Sequence, residues 1–210
     1  MNSSIKYIDL FAGAGGLSEG FTREEFHAVA HVEMDKDACD TLKTRLTYHY
    51  LLQNNDKQTY KSYLQSIITR KELWNQVPVA LLNSVINEEI SNYTIKGIFK
   101  KIDNQLKKDK VDLIIGGPPC QAYSLVGRSR DPNRMKGDKR NFLFRYYGEF
   151  LNRYKPKYFV FENVLGLLTA GNKMYLNEMI QLFKSLGYSV AEPTVLNAEE
   201  YLAGKKRLVL

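Results

Sequence analysis

Short apolar runs that end in glycine or a carboxylate alternate along this chain with stretches whose apolar residues recur every three or four positions. "IKYIDLFAGAGG" opens with a strand pattern over Ile5 to Leu10 that runs straight into a glycine-rich turn. "LSEGFTREEF" reads as a helix, "HAVAHVEMD" as a second strand and "KDACDTLKTRL" as a second helix. This order, strand, turn, helix, strand, helix, is the opening of a doubly wound, mostly parallel sheet. From about 48 to 110 the pattern changes. The segment is rich in Lys, Asn, Gln and Tyr, and "YKSYLQSIITRKELW" and "VPVALLNSVINEEI" carry helical spacing, which predicts a mainly helical insertion.

Strand patterns return at "VDLIIGG" and "KYFVFENV". Between them "GEFLNRYKPKY" closes a helix ahead of Pro156. "NKMYLNEMIQLFKSLGY" reads as an amphipathic helix with Gly187 at its C-terminal cap. "SVAEPTVLNA" predicts a further strand region, and "KKRLVL" looks like the start of another.

Composition changes this picture little. With 44% hydrophobic and 25% charged residues, the 210-residue chain is ordinary for one globular α/β domain. No apolar run reaches the roughly 18 residues that span a bilayer, and the first 30 residues lack a signal-peptide pattern, so no membrane partner is expected. Cys39 and Cys120 form no CxxC pair and no disulfide framework, which makes a reducing cytoplasm the default. Thirty Lys and Arg against 23 Asp and Glu give a net charge of +7, which favours a polyanionic partner without proving one.

Two stretches carry candidate chemistry. Gly13, Gly15 and Gly16 let the backbone turn tightly at the end of the first strand and approach a ligand closely. Glu33 ends the second strand, where a carboxylate can accept hydrogen bonds from two ribose hydroxyls. A dinucleotide fingerprint would place a third glycine at 18, where this chain has Ser18. Asp9 would repel a pyrophosphate but suit an ammonium or sulfonium. The glycine loop, Asp9 and Glu33 together favour S-adenosylmethionine over a nicotinamide dinucleotide.

The second stretch is "DLIIGGPPCQAYSLVGR". A cysteine presented after Gly-Gly-Pro-Pro at a strand end is placed to act as a nucleophile. A phosphatase-type loop would need an arginine six residues later, and that position is Val126. None of His27, His31 and His49 sits in a hydrolase signature, and metal-ligand spacing is absent. Cys39, inside an ordinary helix pattern, reads as packing. Glu162 and Asn163 stand at the end of the "FVFENV" strand, and in a parallel sheet that end faces the same crevice as the Cys120 loop.

In sequence order these pieces resemble the cytosine-C5 DNA methyltransferases. "DLFAGAGGLSEGF" is similar to the cofactor loop, "VEMD" to the ribose-binding strand end, "GGPPCQAYS" to the nucleophile loop and "FENV" to the catalytic-glutamate motif. "GDKRNFLF", with Asp138 and Arg140, resembles the family segment before the latter strand. The resemblance implies the Rossmann-like S-adenosylmethionine-dependent methyltransferase fold and transfer of a methyl group to cytosine C5 in duplex DNA, in a restriction-modification setting. It further implies that Phe11 and Met34 flank the adenine, Glu33 holds the ribose, and Pro118 lies beside the cofactor. Cys120 would attack cytosine C6, Glu162 would hydrogen-bond N3, Arg207 would contact O2, and Ser124 would meet the DNA backbone.

The segment 127–140, "GRSRDPNRMKGDKR", holds six Lys or Arg and two Asp, so Arg128 and Arg130 are candidates for phosphate contact. Six lysines between 96 and 110 read instead as the solvated face of an amphipathic helix.

The sequence departs from the family in three places. The Gly-Asp-Ile setting of the adenine-contacting acid is missing, with Glu89 of "NEEI" nearest to it. "LNAEEYLAGKKRLVL" has Lys205 and Arg207 but no glutamine where the family has Gln-x-Arg-x-Arg. No target-recognition domain or final helical motif is present. The expectation is therefore a catalytic domain over 1–210, incomplete at its C-terminus. It would be a piece of a longer chain, or a subunit needing a complementing partner that carries target recognition. A tRNA-methylating relative, a non-catalytic cofactor-binding homologue and a Rossmann oxidoreductase are the competing readings.

Overall fold

A computed structural model describes residues 4–119, 143–169, 173–197 and 206–209. They fall in two compact units, Met1–Asp112 and Leu113–Leu210.

The first unit is built on three parallel strands, β1 (Lys6–Leu10), β2 (His27–Glu33) and β3 (Val85–Asn87), with β2 in the middle. The first β-to-β crossover passes through α1 (Ser18–Arg23), the connection that a parallel pair of strands needs. The second passes through α2 (Lys36–Gln53), α3 (Lys57–Leu64), α4 (Arg70–Trp74) and α5 (Val79–Asn83). α6 (Ile95–Leu106) follows β3 and buries Ile95, Ile98 and Ile102. Tyr7, Ile8, Leu10, Ala30 and Val32 are fully buried, the pattern of strands covered on both faces.

The predicted insertion differs from expectation in one element. α3, α4 and α5 are helical, but "VIN" forms β3, paired to His31, Val32 and Glu33. A three-residue strand is too short to show alternation, and the apolar run before it masks the boundary. The helices are separately capped. Asp35 accepts the Ala38 N–H, Asp56 accepts the Thr59 N–H, and Thr69 and Glu72 form a reciprocal capping box. Trp74 Nε1 donates to Thr44 Oγ1 (3.2 Å), tying α4 to α2, and the Lys43 ammonium lies over its ring. Cys39 is buried with Ala12, Leu42, Leu46 and Val85, and burial pushes its thiol up to about 11. It packs, as expected.

The second unit contains β4 (Leu113–Gly116), α7 (Leu143–Tyr154), β5 (Tyr158–Asn163), a 3-10 turn (Leu165–Leu168), α8 (Met174–Ser185), β6 (Thr194–Asn197) and β7 (Lys206–Val209). β4 and β5 are parallel, and β7 pairs antiparallel to both β5 and β6. Its core is aromatic. Phe159 and Phe183 approach to 4.9 Å and Tyr147 and Phe161 to 5.1 Å between ring centres. The buried Tyr147 hydroxyl donates to the Ile114 carbonyl at 3.0 Å, so its polar end is satisfied. Gly187 does end α8. At φ +93° it donates to Lys184 O while Tyr188 N donates to Phe183 O, the paired bonds of a Schellman motif.

α1 is fastened to α2 by Glu19, whose carboxylate takes Arg45 Nη2 (2.7 Å), His49 Nε2 (3.0 Å) and Arg23 Nε (2.8 Å). Burial alone would raise this carboxyl, but hydrogen bonds from His49, Arg45 and Arg23 outweigh it and hold the pKa at about 2. Because the folded value lies below the unfolded one, the stabilisation is present above about pH 4.3 and is lost as pH falls towards 2. Glu19→Gln is therefore expected to lower unfolding free energy at pH 7 by about 2 kcal/mol. That deficit relative to the parent should shrink steadily below pH 4 in denaturant titrations; a pH-independent deficit would contradict the assignment.

Candidate active site

In the first unit, the loop after β1 and the end of β2 are bonded together. Phe11 has φ +57°, a conformation rarely adopted by a bulky side chain, and Gly13 and Gly15 follow at +54° and +82°. The next residues are pinned to β2. Ala12 N donates to Val32 O (3.1 Å), and Gly13 N donates to Glu33 Oε2 (2.8 Å). The other carboxylate oxygen of Glu33 accepts Asp35 N (2.8 Å). Glu33 thus spends one lone pair on each oxygen and keeps one on each, a chelating pair suited to two vicinal hydroxyls.

Asn87 at the end of β3 donates to the carbonyls of Glu33 and Met34 (3.2 and 2.9 Å), fixing the turn that leaves Met34 63% exposed. Glu89 is exposed just past β3. Gly15 joins φ +82° to a close approach, since an added Cβ would lie 2.5 Å from Leu42 Cδ1 and that side-chain end would have to shift, whereas Gly13 and Gly16 have no atom within 4 Å of an added Cβ. Ser18 is buried at the start of α1, where a dinucleotide site would want glycine.

Asp9 is not where the sequence suggested. It shares with Tyr7 the face of β1 on which α1 packs, with Tyr7 against Phe21 at 5.7 Å. It is 1% exposed, and its Oδ2 lies 3.2 Å from His31 Nδ1. A carboxylate so enclosed does not meet a ligand in the open loop.

The second unit holds the base of the Cys120 loop against the end of β5. A Cβ on Gly117 would fall 2.2 Å from the Glu162 carbonyl oxygen and 2.7 Å from its Oε2. Gly117 is therefore the residue that lets the Glu162 carboxylate sit on the loop. Asn163, 3% exposed, turns its Oδ1 to Val164 N (2.9 Å), and its Nδ2 reaches the carbonyl of buried Pro118 at 3.5 Å. The sequence placed Asn163 at this strand end without a role; an amide following a catalytic-type glutamate was the available signal. The register of β7 sets Val209 opposite Glu162 and Leu208 opposite Asn163, so the backbone of Arg207 follows at the same end of β5. The side chain of Arg207, and Cys120, Ser124, Arg128, Arg130, Asp138 and Arg140, lie outside the described residues.

Comparison with known proteins gives this geometry a class. A crystal structure of an E. coli prophage-encoded protein assigned as a DNA modification methyltransferase superposes with a TM-score of 0.63 at 25% identity, over 98% of this chain and 45% of the other. The Dnmt2 methyltransferase of S. pombe superposes at 0.53 with 15% identity, a likeness of fold alone. The architecture is the S-adenosylmethionine-dependent methyltransferase fold.

The family model for C-5 cytosine-specific DNA methylase matches residues 5–69 and 80–208, and the chain belongs to that family. The match breaks only at 70–79, so most of the segment 48–110, read from its pattern as a helical insertion, is part of the family match. Type II methyltransferase M.Bpa9945I of Bacillus paralicheniformis is 42% identical over 89% of this chain and 46% of its own length. Type II methyltransferase M.XorII of Xanthomonas oryzae pv. oryzae is 34% identical over 97% and 39%. The chain spans less than half the length of these relatives. No described helix is long and apolar enough to cross a membrane.

Gly117→Ala is expected to destabilise the protein by about 1–3 kcal/mol, because β5 backbone cannot yield as a flexible side chain would. Gly16→Ala, with no atom within 4 Å of its Cβ, is expected to stay within about 0.5 kcal/mol of the parent. Urea midpoints compare the two; equal losses would contradict the close approach.

Proposed function

We propose that this chain carries the cofactor site and the catalytic groups of a DNA (cytosine-5)-methyltransferase of the restriction-modification type, acting in the cytoplasm on duplex DNA. The observation that carries the reading is Glu162 seated on Gly117, at the base of the loop that leads to Cys120. The free lone pairs of Glu33, the exposed Met34 and the open space at Gly13 and Gly16 fit an adenosyl group. Glu33 would hold the ribose hydroxyls, Phe11 and Met34 the adenine faces, and Pro118 the cofactor's other side; Glu89 would take the adenine amino group. When bound, S-adenosylmethionine supplies a methyl carbon made electrophilic by its sulfonium.

Cytosine C5 is unreactive while the ring is aromatic. Cys120 Sγ, as thiolate, would add to C6 and push electron density to C5, and Glu162 would share a proton with N3 to offset the charge building on the ring. After C5 is methylated, loss of its proton lets the Cys120 thiolate leave and restores the ring. A stacked base is closed to this attack, so the cytosine must be flipped out. Arg207 would meet the flipped base at O2, while Ser124, Arg128 and Arg130 would hold phosphates. A complementing portion with target recognition is part of the proposal, because the catalytic groups alone read no sequence.

The test is transfer of labelled methyl from S-adenosylmethionine to unmethylated duplex DNA and, in parallel, to tRNA, with and without a target-recognition portion from a relative. Label on DNA cytosine C5 from the parent and none from Cys120→Ala supports the reading, and label on tRNA alone overturns it. Calorimetry should show Cys120→Ala binding the cofactor within about three-fold of the parent, and Glu33→Ala at least about ten-fold more weakly.

A further inference from the structure

We propose that the buried Asp9–His31 pair is a positioning device for the cofactor site, locking β1 to β2 immediately before the two strand ends that hold the adenosyl group. The inference rests on the cofactor reading above and adds to it residues that touch no ligand.

Four observations carry it. First, the strand register is irregular between Tyr7 and Ile8: Tyr7 pairs with Ala28 but Ile8 with Ala30. Without that shift Asp9 would face Ala30; with it, Asp9 lies opposite His31 on the same face of the sheet. Second, the pair is enclosed, at 1% and 0% exposure, in strands otherwise filled with aliphatic and aromatic side chains. Third, Asp9 Oδ2 and His31 Nδ1 meet at 3.2 Å, while Asp9 Oδ1 and His31 Nε2 have no hydrogen-bond partner among the described residues. A half-satisfied buried pair is a poor stabiliser, and two aliphatic residues here would serve stability better.

Fourth, the pair stands where a lock is needed. Two residues beyond Asp9, Phe11 takes its left-handed backbone, a strain that persists only when its surroundings over-determine it. On the far side Ala12 and Gly13 are bonded to Val32 and to the Glu33 carboxylate. On the near side the side-chain link between the strands is Asp9 to His31. Phe11 is thus bracketed, with one bracket placed two residues before Glu33 on the neighbouring strand. Releasing the near bracket would let β1 slide towards its regular register and carry Phe11 away from Glu33.

The experiment measures binding of S-adenosylmethionine and of S-adenosylhomocysteine by calorimetry, and thermal unfolding, for the 210-residue chain and three variants. These are Asp9→Ala, His31→Asn, and the double replacement Asp9→Leu with His31→Leu. Both nucleosides share the adenosyl half, so a positioning role predicts that Asp9→Ala, which removes the acceptor facing His31 Nδ1, and the double variant lose affinity for both by the same factor, about ten-fold or more. The double variant should do so while unfolding at or above the parent's temperature. His31→Asn retains an N–H donor for Asp9 and should stay within about three-fold of the parent.

Parent-like binding of both nucleosides by the double variant would reduce the pair to a structural detail and overturn the proposal. Loss confined to the sulfonium-bearing nucleoside would overturn it too, in favour of a direct charge effect of Asp9. If the double variant does not fold, Asp9→Ala set against His31→Asn decides the question, with equal affinities for both going against the proposal. A parent that binds neither nucleoside would instead remove the cofactor reading itself, and this inference with it.

Discussion

A carboxylate that accepts two backbone N–H groups, one from the loop after β1 and one from the turn entering α2, cannot change rotamer without orphaning both. Glu33 is in that position, bound to Gly13 and Asp35. Its own carbonyl accepts Asn87 Nδ2 and the Glu88 N–H, which binds the end of β3 into the same cluster. Three chain segments far apart in sequence therefore converge on one residue. The strained Phe11, the exposed Met34 and the glycine turn are all defined by reference to it. The second unit is organised by a steric rather than an electrostatic rule: Gly117 has no Cβ, and Glu162 occupies the space that one would fill.

The parts of this architecture legible in the sequence are those where a local signal coincides with the global one. In the first unit the apolar run of β1 leads into a glycine turn and β2 ends in Glu33; in the second, β4 ends in glycine and β5 in Glu162 and Asn163, and each unit carries its candidate residues at these ends. Gly187 could be assigned to a helix end because only a residue tolerant of positive φ suits that place. Family motifs then suggested roles that periodicity could not, ribose for Glu33 and the base for Glu162, which belong to the proposed function.

What the sequence hid depends on relations between distant residues. β3 is three residues long and exists through pairing with β2, so no periodicity announces it. Asp9 was read as facing a ligand because it precedes the glycine loop. Its true direction follows from strand alternation, the packing of α1 and a register shift that involves His31, 22 residues away. The need for Gly117 likewise comes from β5, which no inspection of "IIGGPP" reveals.

The interval 70–79, where the family match breaks, coincides with α4 and the start of α5. α4 brings its own capping box and is attached to α2 chiefly through Trp74 and the fully buried Leu73. It contributes no strand and none of the residues around Glu33. Such a piece behaves as an appendage clipped onto a finished frame. Chain length at this point can drift between relatives, or be altered by design, while the geometry that matters to the chemistry stays where the sheet puts it.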